Sequence, residues 1–89
     1  MTWTIEWDDR ARKDLRKLDV AIQKKILAYL RMRVTQAKDP RIFGHGLTGN
    51  RAGLWRFRVE DYRLICKIEH HILIVFVVRV GHRKEIYEG

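Results

Sequence analysis

Residues 54–80 read LWRFRVEDYRLICKIEHHILIVFVVRV, which contains three strand-like runs in succession. In the first run, residues 54–59, every second side chain is apolar and the side chains between them are basic. Residues 62–69 also have an apolar side chain at every second position, with Arg63, Ile65 and Lys67 between them, so each of these two strands should have one apolar face. Residues 72–80 are apolar almost throughout, as expected for a central strand that is covered on both sides.

The residues before these strands predict one further strand and two helices. Residues 2–7 alternate apolar and polar side chains, and Asp8 or Asp9 can then cap a helix. A second helix should end before Asp39, because the following Pro40 disfavours a helical residue in front of it. The apolar residues at helical spacing fall into two stretches that Asp19, a second candidate N-cap, separates: Ala11, Leu15 and Leu18, then Ile22, Ile26, Tyr29, Leu30 and Val34.

These elements together predict an α+β fold. Residues 40–53 contain four of the six glycines, and we expect them to form a loop. The predicted order is β-α-α-β-β-β, with a two-helix hairpin packed on one face of a small, mostly antiparallel sheet. Because the chain has only 89 residues, we expect residues 1–89 to form a single domain.

The charge of the chain indicates a polyanionic partner. Lys and Arg total 19 against 11 Asp and Glu, which gives a formal net charge of +8. Nucleic acid or an acidic protein fits this excess better than a membrane surface. The single cysteine, Cys66, excludes an internal disulfide and a cysteine-based zinc site. The longest apolar run, residues 72–78, is far shorter than a membrane helix, so we expect a cytoplasmic protein.

A candidate phosphate site lies on the basic face of the predicted hairpin. If residues 60–61 form a two-residue turn, Arg58 lies directly opposite Arg63, and Arg56 lies two residues along the same face. Like charges in that position destabilise a sheet, but forked guanidinium donors grip phosphate well. The turn is an assumption, since neither of its residues is glycine or asparagine. The alternative is an outer face whose arginines simply point at water.

The last part of the chain adds side chains that are suited to proton transfer. Residues 81–87 read GHRKEIY, and we expect Gly81 to turn the chain after the apolar strand. His82, Arg83 and Tyr87 are of the types that move protons or stabilise a developing oxyanion. By itself this segment is equally compatible with a frayed basic terminus.

Two blocks, LTGNRAGLWRFRVEDYR at residues 47–63 and VGHRKEIY at residues 80–87, resemble the RelE branch of the RelE/ParE toxin superfamily. With the length, the basic character and the element order, the resemblance covers essentially the whole chain. It implies an mRNA interferase that enters the ribosomal A site and cuts mRNA there. The implied reaction needs no metal and no cofactor: the RNA 2′-hydroxyl attacks the adjacent phosphate, which leaves a 2′,3′-cyclic phosphate and a 5′-hydroxyl.

The resemblance also implies roles for individual residues. Arg58 and Arg63 would hold the scissile phosphate, and Arg83 would stabilise the departing oxygen or act with a water as the acid. Tyr87 would orient the base and relay a proton, and further RNA contacts would come from Arg51, Arg56 and Lys84. The family can carry lysine where this chain has arginine in the first strand of the hairpin. Arginine stays protonated, so His82, with an ordinary pKa of about 6.5, becomes a candidate base or acid.

The implied partners are the ribosome, its mRNA and an acidic, RelB-like antitoxin. The resemblance implies a hetero-oligomeric toxin–antitoxin complex that binds operator DNA through the antitoxin. Two other functions remain open at this point. The first is a ParE-like toxin that inhibits DNA gyrase without cutting RNA, and the second is an RNA-binding module without catalysis.

Overall fold

The structure is a computed structural model, and it describes residues 2–86. In this part of the chain two α-helices and five strands follow one another. A π-helical turn, Leu30–Val34, continues the second helix directly. The elements are β1 (Thr4–Trp7), α1 (Asp9–Arg16), α2 (Val20–Tyr29), β2 (Gly44–Gly46), β3 (Trp55–Val59), β4 (Tyr62–Glu69) and β5 (Ile74–His82).

The strands form one sheet in the order β1-β5-β4-β3-β2. Only β1 and β5 run parallel, and the other three neighbouring pairs are antiparallel. The predicted α+β class is therefore confirmed, and the apolar strand β5 is an interior strand, with β1 on one side and β4 on the other. One detail of the prediction is wrong: residues 44–46, expected in a loop, form a short edge strand because their backbone pairs with β3.

The ends of the helices follow the predicted caps with one difference. Asp8 is the N-cap of α1, and its carboxylate accepts a hydrogen bond from the backbone N–H of Arg10 at 3.2 Å. Asp19 is the N-cap of α2 by position, although its side chain makes no capping hydrogen bond. The second helix, with its π-helical turn, stops at Val34 and so ends before Asp39, as predicted. None of the helices within residues 2–86 is long and apolar enough to cross a bilayer.

Two apolar clusters lie on the two sides of the sheet. The larger cluster lies between the helices and the sheet, and it includes Ala11, Leu15, Ile26, Leu30, Phe57, Leu64, Cys66, Val75 and Val77. The smaller cluster lies on the opposite face, which we call the outer face, and it consists of Leu47, Ile65 and Ile86 with Leu54 and Val78 against them. The outer face carries the basic side chains of β3 and β4, so this small cluster bears directly on the candidate site.

A β-bulge in β5 determines which of its side chains reach the outer face. Ile65 pairs with Arg79, but the next residue, Cys66, pairs with Val77, so Val78 is the extra residue. A one-residue shift exchanges the two faces of a strand. After the bulge, Gly81 therefore lies opposite Arg63 on the outer face. Gly81 lies within β5, and the expectation that it turns the chain is wrong.

Candidate active site

The predicted arginine pair is present at the end of the β3–β4 hairpin. Arg58 pairs directly with Arg63, and Arg56 pairs with Ile65 on the same face, so the predicted two-residue turn and its register are confirmed. Glu60 in this turn adopts φ = +53°, a left-handed conformation that is uncommon for a residue other than glycine. Two like charges thus face one another beside a turn with an unfavourable backbone angle.

The side chain of Arg63 is fixed in place by the same turn. Its exposed fraction is 8%, and its Nη1 donates to the backbone carbonyls of Glu60 and Tyr62, both at 3.0 Å. Arg58, in contrast, is exposed, and Arg56 is half-buried. The site therefore combines one rigid guanidinium with an exposed one that can adjust to a ligand.

Arg83 is held at the same end of the sheet by a residue that the sequence did not single out. Its backbone N–H donates to the carbonyl of Asp61 at 2.8 Å, and its Nε lies 3.8 Å from Oδ1 of Asp61. Both side chains are more than half exposed, so the backbone bond fixes the position and the ion pair adds little. Asp61 could have been found only from the pairing of β4 with β5, because this pairing brings the turn that contains Asp61 next to the end of β5.

His82 takes part in a different set of contacts. Its ring packs edge-on against Tyr62, its cross-strand partner, with ring centroids 5.4 Å apart. Tyr62 packs against the larger cluster on the helix side, and neighbouring residues of a strand point to opposite faces. The structure therefore does not bring the ring of His82 onto the face that carries Arg58 and Arg63.

A hydrogen bond also determines which nitrogen of His82 can carry a proton. The backbone N–H of Lys84 donates to Nδ1 at 3.1 Å, so Nδ1 serves as the acceptor. In a neutral imidazole the proton then resides on Nε2. In this geometry His82 can donate a hydrogen bond from Nε2, but it has no unoccupied nitrogen with which to act as a base.

The segment after β5 folds back over the outer face. The backbone N–H groups of Glu85 and Ile86 both donate to the carbonyl of His82, at 2.8 and 3.1 Å. Ile86 is 1% exposed and packs with Leu47 and Ile65. These contacts hold the segment that carries Arg83 and Lys84 beside the basic face.

Leu47 brings the glycine-rich loop to the same place. The loop closes through two backbone bonds, from Leu47 to the carbonyl of Leu54 at 2.9 Å and from Leu54 to the carbonyl of Arg51 at 3.0 Å. Arg51 ends a short 3₁₀ turn, Gly49–Arg51, and is half-buried. Both loop and final segment thus flank the arginines of the hairpin.

Two further predicted site residues, Lys84 and Tyr87, belong to the end of the chain. Lys84 is exposed at the start of the folded-back segment. Tyr87 lies outside the described residues, so its predicted role stays a prediction. Within residues 2–86, no group of three or more His, Cys, Asp or Glu side chains is arranged to hold a metal ion.

Sequence reasoning also missed Asp14, which supports this end of the sheet from the helix side. Its Oδ2 accepts from the backbone N–H of Val80 at 3.0 Å and from Nε of Arg79 at 3.1 Å. Strand β1 pairs only as far as Val77, so Asp14 caps the open edge of β5 beyond that point. The sequence signal was weak, because Asp14 is one of two acidic residues in a helix that also carries four basic ones, and an exposed salt bridge would explain it equally well.

The chain matches known proteins over nearly its whole length. A family model described as the ParE toxin of type II toxin–antitoxin systems matches residues 5–87. Toxin RelG of Mycobacterium tuberculosis is 30% identical over 87 residues, 98% of each chain. The mRNA interferase toxin RelE of Escherichia coli is 30% identical over 90 residues, which cover 98% of this chain and 92% of that toxin.

A solved structure gives the same assignment. A chain of the toxin–antitoxin complex RelBE2 from Mycobacterium tuberculosis superposes with a TM-score of 0.85 at 28% identity, over 93% of this chain and 100% of that chain. Fold and sequence together define a small toxin of the type II class. The protein belongs to the RelE/ParE toxin superfamily, which confirms the resemblance seen in the two sequence blocks.

Proposed function

We propose that the protein is the toxin of a type II toxin–antitoxin system and acts in the cytoplasm as a ribosome-dependent mRNA interferase. The observation that carries this proposal is the direct pairing of Arg58 with Arg63 on one face of the sheet. Such a pair costs stability in the free protein, and a bound phosphate removes the repulsion. The two relatives named toxins, one of them an mRNA interferase, support the same assignment.

The proposed reaction is a transfer within the RNA strand. The 2′-oxygen forms a bond to the adjacent phosphorus, and the bond from phosphorus to the 5′-oxygen breaks. Arg58 and Arg63 hold the phosphate and stabilise the negative charge that grows on it, which is the larger part of such catalysis. Arg83 lies at the same end of the sheet and supplies a hydrogen bond to the departing oxygen, directly or through a water.

The proton of the 2′-hydroxyl needs a separate acceptor. The arginines stay protonated at any physiological pH, so none of them serves as the base. His82 takes no part in this proposal as base or donor, because its ring packs against Tyr62 on the helix side of the sheet, away from the face with the arginine pair. Tyr87 is the remaining candidate for the proton relay. Arg51, Arg56 and Lys84 contribute phosphate contacts around the cut.

The test uses purified translating ribosomes with a defined mRNA, and it maps the new 5′ ends. Arg58→Ala is the sharpest variant, because Arg58 is exposed and its loss leaves the turn intact, whereas Arg63 braces the turn. We expect cleavage within the A-site codon that needs ribosomes and falls about a hundredfold in Arg58→Ala and in Arg83→Ala. Arg12→Ala, which removes an exposed charge of α1, should cleave like the wild type.

Intact mRNA with folded wild-type protein would contradict the proposal. In that case the second candidate is a toxin that inhibits DNA gyrase, which the ParE name of the matching family model favours. Inducing the protein in cells then separates the two functions, because an interferase stops protein synthesis and a gyrase inhibitor stops DNA replication. RNA binding without either effect would indicate a non-catalytic module.

The proposal includes an acidic, RelB-like antitoxin. A net charge of +8 suits such a partner, and the similar solved chain comes from a toxin–antitoxin complex. We expect a small acidic protein, encoded next to this one, to form a stable hetero-oligomer with it and to abolish cleavage. Co-purification from a co-expression strain measures this directly, and two separate peaks in size-exclusion chromatography would contradict it.

A further inference from the structure

A groove of about 520 Å³ lies between α2, with its π-helical turn, and the edge of β3. The helical side contributes Lys25, Tyr29 and Arg33, and the strand side contributes Arg58 and Glu60. The groove exists because β2 pairs with β3 only up to Phe57, so the edge of β3 is open beyond that residue. Arg58 therefore belongs both to this groove and to the arginine pair of the proposed active site.

The groove carries a net positive charge. Nζ of Lys25 lies 2.9 Å from Oε2 of Glu60, so these two charges compensate one another. Arg33 and Arg58 are both exposed, and within residues 2–86 neither guanidinium forms an ion pair. Two uncompensated cations thus face the same space from opposite walls.

Tyr29 adds a neutral hydrogen-bond donor to the lining of the groove. Its ring is half-buried against the larger cluster. This burial raises the pKa of Tyr29, and the positive charge of Arg33 nearby opposes the shift. The phenol therefore keeps its proton at neutral pH, and its O–H can donate to an anion in the groove.

We propose that this groove binds a second phosphate of the RNA strand, one that flanks the scissile phosphate. The inference rests on the proposed function, because Arg58 connects the two sites. Arg33 and the hydroxyl of Tyr29 contact the flanking phosphate, while Arg58 and Arg63 hold the scissile one. The groove thus extends the grip of the protein along the strand, as backbone contacts do in proteins that bind single strands without reading sequence.

The test measures binding, which does not depend on cleavage. The probe is a short 2′-O-methyl RNA, which lacks the attacking hydroxyl, and its affinity is measured over a range of salt concentrations. Each phosphate contact to a single strand adds about 0.7 to the slope of log affinity against log salt. We expect Arg33→Ala to reduce that slope by about 0.7 and to weaken binding about threefold to tenfold.

Arg31→Ala is the matched control. Arg31 lies in the same π-helical turn and is also exposed, but it lines a different cleft together with Ile5 and Trp7. The substitution removes the same charge from the protein but changes no residue of the groove, so the salt slope of RNA binding should stay at the wild-type value. Tyr29→Phe removes the hydroxyl alone, and we expect it to weaken binding about threefold with an unchanged slope.

Replacing single phosphates by neutral methylphosphonates then locates the contact. One flanking position should weaken wild-type binding and have no further effect in Arg33→Ala. The inference would be overturned if Arg33→Ala had the same salt slope as the wild type. It would also be overturned if Arg33→Ala and Arg31→Ala lost RNA affinity to the same extent. If Arg33→Ala lost antitoxin binding but kept the salt slope of RNA binding, the inference would also be overturned, because the groove would then bind a protein partner. Failure of the proposed function appears separately, as intact mRNA in the ribosome assay.

Discussion

Ile86 fills the space that a side chain at Gly81 would need. A Cβ added to Gly81 would lie 2.8 Å from Cγ1 and 2.9 Å from Cδ1 of Ile86. Because Gly81 lies opposite Arg63, this contact joins the final segment to the position of β5 that faces the buried arginine of β4. The absence of a side chain at position 81 thereby fixes the place of Arg83 relative to Arg63.

We expect Gly81→Ala to destabilise the protein by about 1–3 kcal/mol, because the methyl group must displace Ile86 from a packed cluster. Cleavage should fall further than this loss of stability explains, since the segment with Arg83 is moved. Chemical denaturation gives the first quantity, and single-turnover cleavage of ribosome-bound mRNA gives the second.

Gly46→Ala is the control for this substitution. A Cβ there would lie 3.6 Å from Cη2 of Trp55, which is an ordinary contact, so both quantities should change little. Adding Ile86→Ala to Gly81→Ala should cost less than the sum of the two single changes, because the clash is gone. Additive costs would show that the two residues do not compete for this space.

Asp14 should contribute to stability mainly as a hydrogen-bond acceptor. Asp14→Ala leaves the backbone N–H of Val80 and the side chain of Arg79 without this partner, and we expect a loss of about 1–3 kcal/mol. Asp14→Asn retains an acceptor oxygen and should cost less than half of that. Glu6→Ala, at an exposed position of β1, should change stability by less than about 0.5 kcal/mol. Equal losses for the alanine and asparagine variants would show that charge, not acceptance, matters.

Asp39 should stabilise the protein only above acidic pH. Arg41 donates to both of its carboxylate oxygens at 2.7–3.0 Å and holds the pKa of Asp39 well below its ordinary value. A carboxyl with a lowered pKa contributes its full stabilisation above the unfolded pKa, about 3.9, and loses it as the pH falls further. The stability difference between wild type and Asp39→Asn should therefore be present above about pH 4 and shrink as the pH falls below it.

Denaturation midpoints of the two proteins, measured across this range, check the prediction for Asp39. Asparagine keeps an oxygen that can accept from the backbone N–H of Arg41, as Asp39 does at 3.1 Å, so this hydrogen bond is preserved and the charge is removed. Because both side chains are partly exposed, 1 M salt should reduce the difference at pH 7. A difference that persists unchanged at pH 3 would rule out the ion pair as its cause.

Cys66 should be unreactive in the native protein. It is fully buried in the larger cluster, and burial raises the pKa of its thiol far above the ordinary range. At pH 8 a thiol reagent such as Ellman's reagent should therefore not react on a timescale of minutes, whereas one thiol per chain should react in denaturant. Rapid reaction of the folded protein would show that the sheet opens locally around β4.

The order of the elements and the arginine pair follow from local sequence. Alternation in β3 and β4 assigns each side chain to a face, and a two-residue turn at Glu60 then fixes the register. These are short-range properties, since neighbours in a hairpin are neighbours in the chain. Family membership follows from the two sequence blocks at residues 47–63 and 80–87, because within each block the motif residues lie close together in sequence.

The completed site depends on contacts between distant parts of the chain. The almost entirely apolar run of residues 72–80 hides the bulge at Val78, so no local pattern shows that Gly81 faces outward. The place of Ile86 over that glycine, the cap from Asp14 and the groove beside Arg58 all join residues that are far apart in sequence or on different elements. Hydrophobic periodicity describes one helix or strand at a time, whereas these features arise only when the elements pack against one another. Packing alone therefore determines which arginines lie together at the site and in the groove.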